Sequence, residues 1–103
     1  MSEPSNLLLL EFNIAGLGHY DAGEFPSEKL PIRLRLEREA LNRYDPLAVA
    51  VYESEDLKLG YLPRTGNEVI ARLMDGGKKI TAFVSSDVNS WYNAIVQVFL
   101  IEE

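Results

Sequence analysis

The chain has 103 residues, no cysteine and a formal net charge of −6. This length suffices for one domain with its own hydrophobic core, and the lack of cysteine excludes disulfides, thiolate zinc sites and cysteine nucleophiles. An acidic chain is also unsuited to coating nucleic acid non-specifically, because that mode depends on many cationic contacts to phosphates. The longest apolar run, at 7–10, is too short to span a membrane and lacks the basic flank of a signal peptide. We therefore expect a single domain over residues 1–103, located in the cytoplasm.

The first half of the chain has the pattern of short strands separated by turns. Residues 7–14 are typical of a strand, and the three glycines of 15–23 indicate turns with positive φ. Within "KLPIRLRLERE" at 29–39, apolar residues alternate with charged ones over 32–37, which predicts a strand with one solvent-facing side on which Arg33 and Arg35 lie together. Residues 48–51 continue as a strand after a polar turn. The acidic turn at 53–56 then leads into a hairpin partner at 57–62.

The second half predicts one helix followed by two strands. Thr65 and Glu68 fit a capping box, Val69, Ile70, Leu73 and Met74 keep helical spacing, and Gly76 and Gly77 end the helix. Residues 79–86 and 92–103 are typical of closing strands, and both faces of the last one are apolar enough for a central or covered position. Six short strands with one or two short helices predict a mainly β fold, a small OB-like or SH3-like barrel.

The turn "NRYDP" at 42–46 carries more chemistry than a bend requires. Asn42 and Asp45 are sufficient to turn the chain, so Arg43 and Tyr44 either brace the fold or contact a ligand. The bracing alternative is an Asx-type turn in which the tyrosine covers the end of the barrel. This turn closes a stretch from Lys29 to Arg43 with a local net charge of +3, which contains half of the cations of the chain. Such a stretch is either an ordinary solvated strand face or a phosphate-binding one.

The usual catalytic constellations are missing from the sequence. His19 is the single histidine, which excludes a zinc site or a histidine-based triad of the usual form within one chain, and we expect no metal and no cofactor. The acids Glu53, Glu55 and Asp56, followed by Lys58, could serve a metal-dependent hydrolase, although a solubilising hairpin turn is the first explanation for them. We expect no enzymatic activity.

Three stretches in order carry a family resemblance: "AGLGHY" at 15–20, "LPIRLRLEREALNRYDPLAVAVY" at 30–52 and "KLGYLPRTGNEVIARLMDGGK" at 58–78. Together they resemble the HIRAN domain over about residues 9–100, and the most specific part combines 36–51 with "LGYLPR" at 59–64. The resemblance implies a six-stranded OB-like or SH3-like barrel. It also implies a module that binds the exposed 3′ end of single-stranded DNA, either attached to DNA-remodelling ATPases or as a small bacterial protein.

Position by position, the resemblance assigns Tyr44 to the tyrosine that stacks on the terminal base and Asp45 to the carboxylate that accepts a hydrogen bond from the 3′-hydroxyl. Gly18 is a departure, since an arginine can stand there in the family, and Leu47 is another, since many relatives have a polar residue. The full set of candidate DNA-binding residues is Gly18, His19, Tyr20, Arg38, Asn42, Tyr44, Asp45, Tyr61 and Arg64.

The leading hypothesis is a non-catalytic module for the 3′ end of single-stranded DNA in DNA repair or restriction, serving a DNA helicase, translocase or nuclease encoded elsewhere. The first alternative is an SH3-like protein-interaction module whose acidic surface binds a basic partner. The second is the metal-dependent hydrolase built on the acids of 53–56.

Overall fold

The computed structural model describes residues 5–17, 24–53, 57–84 and 90–102. Within these ranges the chain forms six β-strands and one α-helix, as the sequence predicts, with short 3-10 turns between some of them. In chain order the elements are β1 (Ser5–Phe12), β2 (Ile32–Arg38), β3 (Val49–Tyr52), β4 (Lys58–Tyr61), α1 (Asn67–Asp75), β5 (Ile80–Val84) and β6 (Val96–Glu102).

The six strands form one antiparallel sheet in the order β1-β6-β5-β2-β3-β4. No strand ladder joins β1 to β4 in the described ranges, so the sheet is not a closed barrel. Its two ends nevertheless meet at an isolated bridge between Ala15 and Tyr61, where each backbone N–H donates to the other residue's carbonyl at 2.9 Å. The sheet is therefore a strongly curled, OB-like one whose edge strands are joined at a single point.

The core lies on the concave side of this sheet. In β2, buried Ile32 and Leu34 alternate with exposed Arg33 and Arg35, as the sequence pattern predicts. The last strand is also confirmed as central, since β6 lies between β1 and β5. It begins at Val96 instead of residue 92, because residues 91–93 form a 3-10 turn that buries Trp91. The fully buried side chains with the largest volumes are Leu59, Ile70, Val49, Val51, Val84, Val96 and Val98.

The helix ends where the sequence predicts but begins differently. Gly77 adopts a φ of 82°, and its N–H donates to the Met74 carbonyl, which closes the helix. The predicted capping box is wrong: the N-cap is Gly66, which has no side chain to accept the first amide hydrogens. Val69 is exposed, whereas Ile70 and Ala71 are buried. No helix in the described part of the chain is long and apolar enough to cross a membrane.

Gly60 permits the close approach of β4 to the segment that follows β1. A Cβ at this position would collide with the carbonyl oxygen of Ala15 and lie 2.8 Å from Cγ2 of Ile14. Real Cβ atoms do not approach other heavy atoms this closely. A glycine is therefore required for the bridge between Ala15 and Tyr61, beside which a concavity opens.

Candidate nucleic-acid interface

A concavity of about 380 Å³ opens where the two ends of the sheet meet. Its walls come from four segments of the chain: the residues after β1, the loop between β2 and β3, the end of β4 with the residues that follow it, and the first residue of α1. Five of the residues proposed from the sequence lie together here. The lining consists of Ala15, Gly16, Asn42, Arg43, Tyr44, Asp45, Ala48, Tyr61, Leu62, Arg64 and Asn67.

Asn42 fixes the shape of the β2–β3 loop. Its side-chain oxygen accepts hydrogen bonds from the backbone N–H groups of Tyr44, at 2.8 Å, and Asp45, at 3.0 Å. This is the Asx-type turn anticipated from the sequence, in which an asparagine replaces a backbone acceptor. The loop is therefore set in place by the protein itself before any ligand arrives.

The Tyr44 side chain projects from this loop into solvent. The side chain is 78% exposed, so it does not cover the end of the sheet as the bracing alternative supposed. Its backbone is held, because Nη2 of Arg64 donates to the Tyr44 carbonyl at 3.0 Å. The guanidinium of Arg43 lies 6.0 Å from the ring centroid. An aromatic ring on a fixed backbone with a cation beside it is a stacking surface ready for a flat partner.

The Asp45 carboxylate points into the concavity and is oriented by three neighbours. Its Oδ1 accepts from the Leu47 N–H at 2.9 Å, and its Oδ2 accepts from Nδ2 of Asn67 at 2.7 Å. The Nε of Arg64 lies 3.7 Å from Oδ2. The Leu47 hydrogen bond lowers the pKa of Asp45 most; partial desolvation opposes it, and Asn67 and Arg64 lower the pKa further. Since a carboxylate has about four acceptor positions, this ionised group can accept a further hydrogen bond from a ligand.

Asn67 is a site residue that the sequence reasoning missed. It is buried and positions the acceptor, Asp45, from the first turn of α1. The predicted capping box gave the roles at the start of the helix to Thr65 and Glu68, and none to Asn67. An asparagine at the start of a helix is common enough that the sequence offered no specific signal for this contact.

A second cluster of polar side chains, next to the concavity, links the β2–β3 loop to β4. Nζ of Lys58 donates to Oε2 of Glu39 at 2.9 Å and to the Tyr61 hydroxyl at 2.6 Å, and that hydroxyl donates to Oε1 of Glu39 at 2.8 Å. Nδ2 of Asn42 also donates to Oε1, at 3.0 Å. Burial alone raises the pKa of Glu39, but the bonds from Lys58, Asn42 and Tyr61 outweigh it, so this pKa lies below its usual value. Glu39 therefore ties the loop to β4.

Arg38 lies outside the lining of the concavity. Its Nε and Nη2 donate to the two carboxylate oxygens of Asp75 at 3.0 and 3.1 Å, and its Nη1 donates to the Ala48 carbonyl at 3.2 Å. Its ion-pair partner is thus Asp75 at the end of α1, and not the adjacent Glu39. The guanidinium joins the helix to the sheet, and these contacts give no support to the prediction that Arg38 binds DNA.

The remaining candidates fall outside the described ranges. Gly18, His19 and Tyr20 belong to 18–23, and the acids Glu55 and Asp56 of the hydrolase alternative belong to 54–56. Lys58, the lysine of that alternative, is engaged with Glu39 and Tyr61. The described residues contain no group of three or more acidic or histidine side chains that could hold a metal ion.

The fold and the concavity define a small OB-like binding module, and comparison with known proteins identifies its family. The family model of the HIRAN domain matches residues 7–100. The chain therefore belongs to the HIRAN domain family, a family of nucleic-acid-binding modules and not of catalysts. The resemblance seen in the sequence is confirmed.

Two solved structures share the fold. A protein from Lactobacillus plantarum has a TM-score of 0.81 at 24% identity, with 98% of this chain and 100% of that chain covered. The HIRAN domain of human HLTF has a TM-score of 0.76 at 20% identity, with 95% of this chain and 80% of that chain covered. No curated protein sequence matches significantly. At these identities the two structures establish the shared fold.

Proposed function

We propose that the protein binds single-stranded DNA at its free 3′-hydroxyl end and catalyses no reaction. One observation carries the proposal: the exposed ring of Tyr44 and the oriented carboxylate of Asp45 are adjacent at the mouth of one concavity. The ring provides a stacking surface that tolerates any base, and the carboxylate provides an acceptor for a hydroxyl hydrogen. Membership of the HIRAN family supports a nucleic-acid ligand.

The cations at the rim suit a few phosphates and no more. Arg43 and Arg64 line the concavity, and the Arg64 side chain is largely exposed although its Nε lies near Asp45. The terminal hydroxyl would approach Asp45 while the first phosphate lies nearer to Arg64. Two cations in an acidic protein favour recognition of an end over retention of a long strand by charge.

In this proposal, Asp45 is the residue that distinguishes a 3′-hydroxyl end from a 3′-phosphate end. A 3′-hydroxyl donates to the carboxylate, whereas a 3′-phosphate brings an anion against another anion and supplies no donor at neutral pH. The protein would thus distinguish a strand that a polymerase can extend from one that is blocked. We place this activity in DNA repair or restriction in the cytoplasm, in association with a DNA helicase, translocase or nuclease encoded elsewhere.

A protein-interaction module is the second candidate. Leu41, in the same loop as Tyr44, is 98% exposed, and the net charge of −6 would favour a basic partner. Exposed tyrosines are enriched in protein interfaces, and an exposed leucine in the same loop adds apolar surface to such a contact. In that case, Leu41→Ser would abolish capture of a protein partner, and no oligonucleotide would bind.

The deciding experiment compares two labelled oligonucleotides that differ only in a 3′-hydroxyl or a 3′-phosphate, with binding measured by fluorescence anisotropy. We expect the hydroxyl end to bind about ten- to a hundredfold more tightly, the range for a hydrogen bond to a charged group. Asp45→Asn, which keeps the size of the side chain and removes its charge, should reduce this preference to a few fold. Changing the 5′ end instead should have no effect. Equal affinity for the two 3′ ends would refute end recognition even if DNA bound.

A further inference from the structure

The outer face of the sheet next to the concavity carries a row of cationic and aromatic side chains, here called the outer strip: Arg33, Arg35, Tyr52 and Phe83. Arg33 and Arg35 project from the solvent face of β2. Their cross-strand partners are Phe83 on β5 for Arg33 and Tyr52 on β3 for Arg35. The strip therefore crosses three strands on the side of the sheet opposite to the core.

The centre of the strip is a stacked pair. The guanidinium carbon of Arg35 lies 4.2 Å from the centroid of the Tyr52 ring, within the range of a cation–π contact. The Arg35 side chain keeps 44% of its surface exposed, and its Nη1 lies 3.4 Å from Oε2 of Glu37. The tyrosine below and the carboxylate beside it hold the guanidinium in place. A guanidinium held in this way is a surface on which a nucleobase can stack.

The stacked pair is continuous with the concavity. Tyr52 pairs across the hairpin with Lys58, whose ammonium donates to the Tyr61 hydroxyl and lies 4.4 Å from the centroid of that ring. Tyr61 lines the concavity, and its cross-strand partner is Ala50, two residues before Tyr52 on the same face. Two residues of a strand span about 6.6 Å, a separation of the order of one step along an extended nucleic-acid strand. A strand leaving the concavity would meet the stacked pair next.

At its far end, the strip offers a cation and further aromatic surface. Arg33 is exposed and has no ion-pair partner among the described residues. Its neighbour Phe83 contacts Phe99 edge to face, with 6.4 Å between the ring centroids. The charges of Arg35 and Lys58 are matched by those of Glu37 and Glu39. The strip thus presents much stacking surface and little net charge, which suits flat neutral bases better than the carboxylates of an acidic peptide.

We propose that the outer strip binds the nucleotides that precede the 3′ end, with one base stacked on the Arg35 guanidinium over Tyr52 and a phosphate near Arg33. This inference rests on the proposed function, since it extends the path of the same strand. The concavity selects the end, and the strip adds affinity that depends on length and not on base identity. Strands longer than two or three nucleotides would therefore bind more tightly than a dinucleotide.

The test measures binding of an oligothymidylate dinucleotide, tetranucleotide and octanucleotide, each with a 5′ label and a 3′-hydroxyl. Arg35→Ala and Tyr52→Leu should weaken the two longer strands about fivefold or more, the range for loss of one stacked base, and change dinucleotide binding less than twofold. Arg72→Ala is the matched control, because Arg72 is also an exposed arginine paired with a neighbouring glutamate, Glu68, but lies on α1. Thermal unfolding of each variant verifies that it folds. If Tyr52→Leu is unstable, Arg35→Ala alone is sufficient to test the inference.

Four outcomes overturn the inference. The wild-type affinity could be independent of length, or Arg35→Ala could behave like Arg72→Ala; in both cases the end is still bound and the proposed function survives. Binding of a polyglutamate peptide that is lost in Arg35→Ala would assign the strip to an acidic protein partner. Absence of binding for every strand would refute both the proposed function and the proposed role of the outer strip.

Discussion

Glu39 provides the most direct test of how the loop above the concavity is supported. Replacing it by glutamine keeps the size of the side chain but removes the charge that faces Lys58, Tyr61 and Asn42. Glu39 and Lys58 are both three-quarters buried or more, so an uncompensated ammonium would remain in a poorly solvated position. A hydrogen bond to a charged group contributes about 1.5 to 3 kcal/mol. With about 4 to 8 °C per kcal/mol for a domain of this size, loss of about 2 kcal/mol lowers Tm by about 8 to 16 °C near neutral pH.

The pH dependence of this difference identifies its cause. Because the pKa of Glu39 is lower in the folded protein than its ordinary value of 4.5, its contribution to stability is fully present above that pH and is lost as the pH falls through the folded value. The difference in Tm between wild type and Glu39→Gln, measured by circular dichroism, should therefore be constant from neutral pH to about 5 and shrink below it. Glu68→Gln, which breaks an exposed pair on α1, should change Tm by no more than a few degrees. A difference for Glu39→Gln that persists unchanged into acid, or one as small as that of Glu68→Gln, would refute the reasoning.

Three other outcomes are expected. Tyr44→Ala should weaken the binding of short single strands by about 1 to 3 kcal/mol in a titration without lowering Tm. Tyr92→Ala, which removes another exposed tyrosine outside the concavity, should leave binding unchanged. A lowered Tm with intact binding would show that Tyr44 has a structural role instead. The logarithm of the affinity should fall only gently with the logarithm of the salt concentration, because few cations reach the ligand, and a steep slope would point to a larger surface. Gly60→Ala should lower Tm strongly or prevent folding because its Cβ collides with the Ala15 carbonyl, and a Tm close to that of the wild type would show that the bridge can yield.

The sequence was informative wherever one residue's surroundings follow from its neighbours in the chain. Alternation in β2 predicted which side of the sheet Ile32 and Arg33 would face, and that period depends only on the geometry of a strand. Asn42 and Asp45 were assigned to a turn because their side chains accept hydrogen bonds from backbone N–H groups two or three residues on, and they do so here.

Contacts between distant segments could not be predicted in this way. Three contacts of this kind join residues from different elements: the hydrogen bond from Asn67 to Asp45, the two hydrogen bonds from Arg38 to Asp75, and the cluster around Glu39. Their existence depends on the order of the strands, which periodicity does not encode. The start of α1 differs from the prediction because the helix begins after Gly66, which has no side chain to act as a cap, and not after Thr65.

The bridge between Ala15 and Tyr61 has a consequence for how binding and stability are coupled. Both residues line the concavity, so a ligand seated there contacts the two sides of the only point at which the described ends of the sheet are joined. Separation of these ends would dismantle the ligand site, and a ligand bound only by the joined form must oppose that separation by mass action. The amide hydrogens of Ala15 and Tyr61 should thus exchange with solvent more slowly as the site fills. Ligand binding in the concavity would therefore hold the two ends of the sheet together, and the exchange rates of these two amides would measure how much of the protein has ligand bound.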